Sequence, residues 1–131
     1  MTREVVTVAE EDNLQEVRER LRQHSFHHLP VVDGARLVGL LSQRDVLRAS
    51  VAGSDQGAFA RVREQRYLEQ TFVRDVMQTS LVTAKPDDGI SQLAQRMLKH
   101  RVGALPVVDE QNNLLGIVTE NDLVRTLVET P

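Results

Sequence analysis

The amino-acid sequence predicts an α/β fold of the α+β type, built from two β-α-β-β-α repeats. Three observations carry that prediction. First, the chain superposes on itself. Sliding it by 76 residues lays Met1 on Met77, Val6-Thr7 on Val82-Thr83, Asp12 on Asp88, Arg20 on Arg96, His24 on His100 and Leu29–Asp33 on Leu105–Asp109. One extra residue in the second turn then brings Gly39 onto Gly116, Asp45 onto Asp122 and Arg48 onto Arg125. Such self-similarity marks internal duplication. Second, each copy alternates short strand-like runs with stretches at helical spacing. Third, 40% of the 131 residues are hydrophobic but only 3% are aromatic, so an aliphatic core is possible in one compact domain or two small packed repeats.

The elements follow in the same order in each copy. "EVVTV" (4–8) and "SLVTA" (80–84) read as first strands. Asn13 with Glu16 resembles a capping box, and Leu14, Val17 and Leu21 mark one face of the helix that follows. Ile90, Leu93 and Met97 repeat that face. A hairpin comes next: "HLPVVD", an Asp33-Gly34 turn and "RLVGLLS" (36–42), matched by "ALPVVD" and "LLGIVT" (114–119). Pro30 and Pro106 lack a backbone N–H, so each is expected to begin its strand rather than sit within the ladder. Second helices start near Asp45 and Asp122.

Residues 1–50 thus form repeat 1, residues 51–71 a connecting loop and helix, and residues 72–131 repeat 2. Gly53–Gly57 reads as loop, and 58–69 as a solvated connecting helix with a thin apolar face of Phe59, Val62, Tyr67 and Leu68. Repeat 2 has a lead-in, "FVRDVM" (72–77), whose counterpart is missing ahead of Met1. The expectation is truncation or domain excision rather than a late start codon.

Bulk properties narrow the function. Lys and Arg number 16 against 19 Asp and Glu, a net charge of −3, which argues against a sequence-independent nucleic-acid binder. Without cysteine there are no disulfides, no thiol catalysis and no thiolate metal sites. No apolar run approaches the ~18 residues of a membrane span, and charged residues rather than a signal sequence follow Met1. A cytoplasmic protein is the expectation.

"LPVVD" followed by "GLLSQRD", and again by "GIVTEND", resembles the CBS domain, named after cystathionine beta-synthase. The resemblance covers nearly the whole chain except the insert. It implies two repeats packed as a pseudo-two-fold pair, sheets facing and helices outside, with two clefts between the copies. In many members the clefts bind adenosine-containing ligands such as AMP, ADP, ATP, NAD or S-adenosylmethionine, and the pair regulates rather than catalyses. The resemblance therefore implies an adenine nucleotide as regulatory ligand, no required cofactor, and a homodimer. Apolar helix faces (Leu93, Met97; Leu123, Leu127) that one copy leaves uncovered fit the last point.

The resemblance also implies site residues. In the family the Asp of G-h-h-S/T-x-x-D (h apolar) holds the ribose hydroxyls; the motif is met at Gly39, Ser42 and Asp45 and at Gly116, Thr119 and Asp122. A carboxylate, all acceptor, suits a cis-diol, and a helix N-terminus suits phosphate. Equally, Ser42 and Thr119 can be N-caps, with Asp45 and Asp122 satisfying helix N–H groups; both roles can coexist. Thr7-Val8 and Thr83-Ala84, at the ends of the first strands, correspond to the edge that touches the base, although Thr is also simply a good strand residue. His27-His28 and Gly103-Ala104 precede the "LPVVD" strands and line the cleft in the family. Gly and Ala admit a flat ring, whereas His offers stacking and a donor, so the two sites should be unequal. Arg44 reaches phosphate or only solvent. Arginines and lysines in 61–66 and 96–101 read as surface. A metal site at His24, His27 and His28 lacks acidic partners, and no nucleophile–base pair suggests an enzyme. The remaining rival is a structural dimerisation module with degenerate clefts, or the regulatory part of a larger enzyme or transporter.

Overall fold

The computed structural model describes residues 5–23, 27–53 and 59–129. They fall into two compact units: one holds Val6–Asp33 and Val38–Ser80, the other Gly34–Leu37 and the chain from Leu81 onward.

In the first unit, the 14/17/21 spacing becomes the inner face of α1 (Leu14–Gln23), with Leu14 and Val17 fully buried. Asn13 Oδ1 accepts the Glu16 N–H (3.0 Å), the cap that the sequence suggested. β1 (His28–Asp33) pairs with β2 (Arg36–Ser42), and Gly34 takes the left-handed φ of 62° that the turn requires. α2 (Gln43–Gly53) follows directly. Val8, Leu29, Val31, Leu41, Val46 and Ala49 complete the core with α1.

Two further helices close this core. α3 (Ala60–Gln70) buries Leu68 completely, and its Glu64 carboxylate lies 2.6 Å from Arg18 Nη1 on α1. α3 is therefore packed, not merely a solvated connector, although Phe59, Val62 and Tyr67 remain exposed. α4 (Val73–Val76) buries Val73 in the same core. Backbone bonds fasten it: Leu14 N–H to Thr71 O (3.0 Å), Val73 N–H to Asp12 O (2.8 Å) and Arg74 N–H to Glu10 O (3.1 Å). Gln78 then bridges Leu40 of β2 in both directions (2.9 and 3.0 Å).

In the second unit, α5 (Ile90–His100) buries Leu93 and Met97 against Ala84, Leu105, Val107 and Val118. β3 (Ala104–Val108) and β4 (Leu114–Thr119) form an antiparallel hairpin with Ala104 opposite Thr119 and Pro106 opposite Ile117. α6 (Glu120–Glu129) continues from β4 and has no fully buried residue. Residues 35–37 run beside 112–114: Leu37 N–H bonds to Asn112 O (3.0 Å), Asn112 Nδ2 to Leu37 O (2.8 Å) and Leu114 N–H to Ala35 O (2.9 Å).

Two expectations are corrected. The first strands shrink to single parallel bridges, Val8 with Val31 and Ala84 with Val107. Each bridge uses just two bonds, Val8 N–H to Pro30 O with Val32 N–H to Val8 O, and Ala84 N–H to Pro106 O with Val108 N–H to Ala84 O. The prolines stand third in their strands instead of first. They cost no ladder bond there. The Pro106 backbone faces the Ala84 side, where Ala84 takes the Pro106 carbonyl and the Val108 N–H; the missing N–H ends that pairing ahead of Ala84 and costs the β3–β4 hairpin nothing.

Candidate functional site

Each repeat turns from strand to helix through four equivalent residues, 42–45 and 119–122. In repeat 1, Ser42 Oγ accepts the Asp45 N–H (3.1 Å) while Asp45 Oδ2 accepts the Ser42 N–H (2.9 Å). In repeat 2, Thr119 Oγ1 accepts the Asp122 N–H (3.3 Å) and Asp122 Oδ2 the Thr119 N–H (2.9 Å). These are reciprocal caps. The hydroxyls cap the helices as expected of N-caps. The carboxylates satisfy the last strand residue rather than further helix N–H groups. Each Asp is half-buried and keeps its second oxygen, Oδ1, outside this pair of bonds.

The residues ahead of β1 and β3 are held against the same corner. Gln43 N–H donates to the His27 carbonyl (2.9 Å), and Glu120 N–H to the Gly103 carbonyl (3.0 Å). His27 is exposed, with Nδ1 3.0 Å from Gln43 Oε1. His28 is half-buried at the start of β1. Ala104 is buried opposite Thr119. Residues 27, 42, 43 and 45 thus gather at one corner, and residues 103, 104, 119, 120 and 122 at its counterpart. Arg44 is exposed on the first turn of α2.

The first-strand residues stand farther along. Val31 and Val107, their bridge partners, lie three residues from His28 and Ala104, roughly 10 Å at strand rise. Val8 and Ala84 give their side chains to the cores and both backbone groups to β1 and β3, whereas Thr7 and Thr83 remain half-buried.

Arg96, which the sequence placed on the surface, and Arg20, to which it gave no role, fix this edge. Arg96 Nη1 donates to the Thr83 carbonyl (2.9 Å) and to Asp88 Oδ2 (2.9 Å). Arg20 Nη1 donates to the Thr7 carbonyl (3.3 Å) and lies 3.8 Å from Asp12 Oδ2. Arg96 is therefore a bracing residue, not part of a free surface. The signal was present: an Asp and an Arg eight residues apart are identical in both copies. The N–H of Lys85 and then the Arg96 guanidinium hold the Asp88 carboxyl below the usual carboxylate range, with burial opposing them. Asp109, in the second hairpin turn, is lowered first by the Asn113 N–H. Among the described residues no cluster of three or more His, Asp and Glu could hold a metal ion; His24 lies outside them. No helix among them is long and apolar enough to cross a membrane.

The family model of the CBS domain matches residues 1–52 and 73–129. The chain belongs to the CBS domain family. The CBS domain-containing protein YhcV of Bacillus subtilis is 37% identical over 124 residues, covering 94% of this chain and 79% of YhcV. Protein MJ1225 of Methanocaldococcus jannaschii is 35% identical over 127 residues, and the chain spans 44% of its length. The solved structure of MJ1225 superposes with a TM-score of 0.82 at 30% identity, over 97% of this chain and 45% of that one. The cytosolic domain of the Mg2+ channel MgtE, solved in complex with ATP, matches with a TM-score of 0.73 at 30% identity, over 96% of this chain and 46% of that one. The described chain is thus a tandem CBS pair with the mixed helix-and-sheet fold of these neighbours.

Proposed function

We propose that this CBS pair is a regulatory module that binds an adenosine-containing nucleotide, with Asp45 and Asp122 each holding a ribose. The observation that carries the reading is the doubled cap. Both carboxylates are fixed through Oδ2 and both keep Oδ1, a pre-oriented acceptor beside a helix N-terminus. The MgtE cytosolic domain with ATP supports the ligand class. Ser42, Thr119, Thr7, Thr83, His27, His28 and Arg44, with the small Gly103 and Ala104, would line the two sites. The module works in the cytoplasm, where adenine nucleotides are plentiful, and acts on a partner rather than on a substrate. An effector does so only through different affinities for two states of its host. Thermal-shift and calorimetric titration with adenosine, AMP, ADP and ATP test the reading. A ligand at 100 times its Kd stabilises the fold by about 2.7 kcal/mol. No stabilisation by any of the four overturns it.

A second reading, dimerisation, draws on α6. Val124, Leu127 (75% exposed) and Val128 (80% exposed) present an apolar stripe at helical spacing. Leu93 and Met97, assigned by the sequence to a dimer face, instead fill the unit's own core, and Leu123 packs against it. We propose a homodimer through the α6 stripe, compatible with ligand binding.

A further inference from the structure

The two corners have one backbone design and opposite electrostatics. Residues 43 and 120 both donate their N–H to the carbonyl two residues ahead of the "LPVV" strand core, at 2.9 and 3.0 Å, so their side chains leave the helix from equivalent points. In repeat 1 that side chain is Gln43, a neutral amide 3.0 Å from the His27 ring, followed by Arg44. In repeat 2 it is Glu120, followed by Asn121. Opposite Glu120 stands Gly103, which has no side chain to meet it. A Cβ built on Gly103 would lie 3.4 Å from Glu120 Oε1 and 3.5 Å from its Cδ. The carboxylate therefore lies beside the Gly103 backbone, where repeat 1 sets the Gln43 amide against the His27 ring.

The consequence is a difference of sign. Next to Asp45, repeat 1 carries a positive Arg44 and, 3.0 Å from Gln43, the His27 imidazole. Next to Asp122, repeat 2 carries a second negative charge two residues away on the same first turn. Both helix N-termini favour an anion through their free N–H groups, but acidic side chains in the first turn already satisfy part of that field. A ribose gripped by either Asp places its 5′ substituent well within the Debye length of ~10 Å at 0.1 M salt. The sign of the neighbouring charge then matters whatever the detailed pose.

We propose, resting on the ribose reading above, that the second site takes an adenosine derivative without negative charge on its 5′ side, neutral or cationic. Glu120, beside Gly103 and two residues from Asp122, is the residue that excludes phosphate. The first site, with Gln43, His27 and Arg44, takes the phosphorylated nucleotide. The pair thus reads two different adenosine species at once.

The probes are adenosine and AMP, titrated calorimetrically at low salt. Asp45→Ala isolates the second site and Asp122→Ala the first. The Asp45→Ala protein is expected to prefer adenosine over AMP by about tenfold, and adding Glu120→Gln to it collapses that preference to threefold or less. Reciprocally, Gln43→Glu in the Asp122→Ala protein shifts preference toward adenosine by about tenfold. Circular dichroism melts confirm that each variant is folded before titration. An adenosine-to-AMP ratio that Glu120→Gln leaves unchanged overturns the assignment while leaving the ribose reading intact. Failure of wild type and all variants to bind either probe overturns both.

Discussion

The guanidinium of Arg96 lies 2.9 Å from the Asp88 carboxylate, and the same nitrogen reaches the Thr83 carbonyl. One side chain therefore ties the start of the second repeat's helix to its first-strand edge. Arg96→Ala removes both bonds from a partly buried site and is expected to cost about 1–2 kcal/mol at pH 7. The acid limb carries the specific signature. Asp88 titrates lower in the fold than in the unfolded chain, so below pH ~4 the unfolded chain takes up the proton first. The stabilisation is complete above that range and disappears as pH falls through the folded value. Urea titrations between pH 2 and 5 should show a shallower slope in Arg96→Ala, with the part due to the Lys85 N–H retained. An unchanged slope would mean that Arg96 has no hold on Asp88.

Asp45→Ala and Asp122→Ala each remove a reciprocal cap and a ribose acceptor. Without ligand, each should lose about 1 kcal/mol of stability. With the adenosine ligand of its own site, each should lose about 10- to 100-fold in affinity there, since one charge-assisted bond is worth about 1.5–3 kcal/mol. Removing the ligand's 2′-hydroxyl should cost the wild type far more than the variant, a coupling that a double-mutant cycle reads directly. Variants that melt lower yet bind like wild type would leave the carboxylates as caps alone.

Gly39 leaves room for Met77. A Cβ there would come within 2.5 Å of Met77 Sδ and 3.2 Å of the Gln78 carbonyl oxygen, which accepts the Leu40 N–H. Gly39→Ala should destabilise by about 1–3 kcal/mol. In Gly39→Ala/Met77→Ala the loss should fall short of the sum of the two single losses. Strict additivity in denaturant titrations would rule out the clash.

Asn112 holds φ at 65° while its amide donates to Leu37 O. Asn112→Gly keeps the conformation and loses the bond; Asn112→Ala loses the bond and adds left-handed strain of about 1–2 kcal/mol. The Ala variant should be the less stable of the two, and the reverse order would contradict this account.

Leu127→Glu places a charge on the exposed stripe of α6. Sedimentation of wild type at micromolar concentration should show a species near twice 14.8 kDa, and the variant a monomer. Wild type that sediments as a monomer removes the dimer proposal.

Much of the fold was legible because its signals are local. β1, β2 and β4 fall where the Val/Leu/Ile runs and the Asp33-Gly34 turn put them. Caps at Ser42 and Thr119 were readable from S/T-x-x-D spacing. What escaped depends on distant partners. Whether Val8 heads a strand or makes one bridge is decided by Pro30 and Val32. Glu64 meets Arg18 across 46 residues, and Leu68 is covered by helices far earlier in sequence. Helical spacing marked Leu93 and Met97 as apolar but could not say whose core they fill. Gln43 and Glu120 sit at an unspecified position of the motif, so only the bond to residues 27 and 103 exposes their contrast.

The hairpin tip Gly34–Leu37 belongs to the unit built mostly from residues after Leu81. A ribosome makes this tip long before its partners: 75 residues separate Leu37 from Asn112. At about 5–20 residues per second, the wait is roughly 4–15 s. Throughout it, Leu37, buried in the finished fold, is uncovered, and the N–H and carbonyl that Asn112 will engage are open to water or to any passing strand. Translation speed across residues 38–112 therefore sets how long a nascent chain carries an unpaired edge, and pausing there should raise the fraction lost to aggregation.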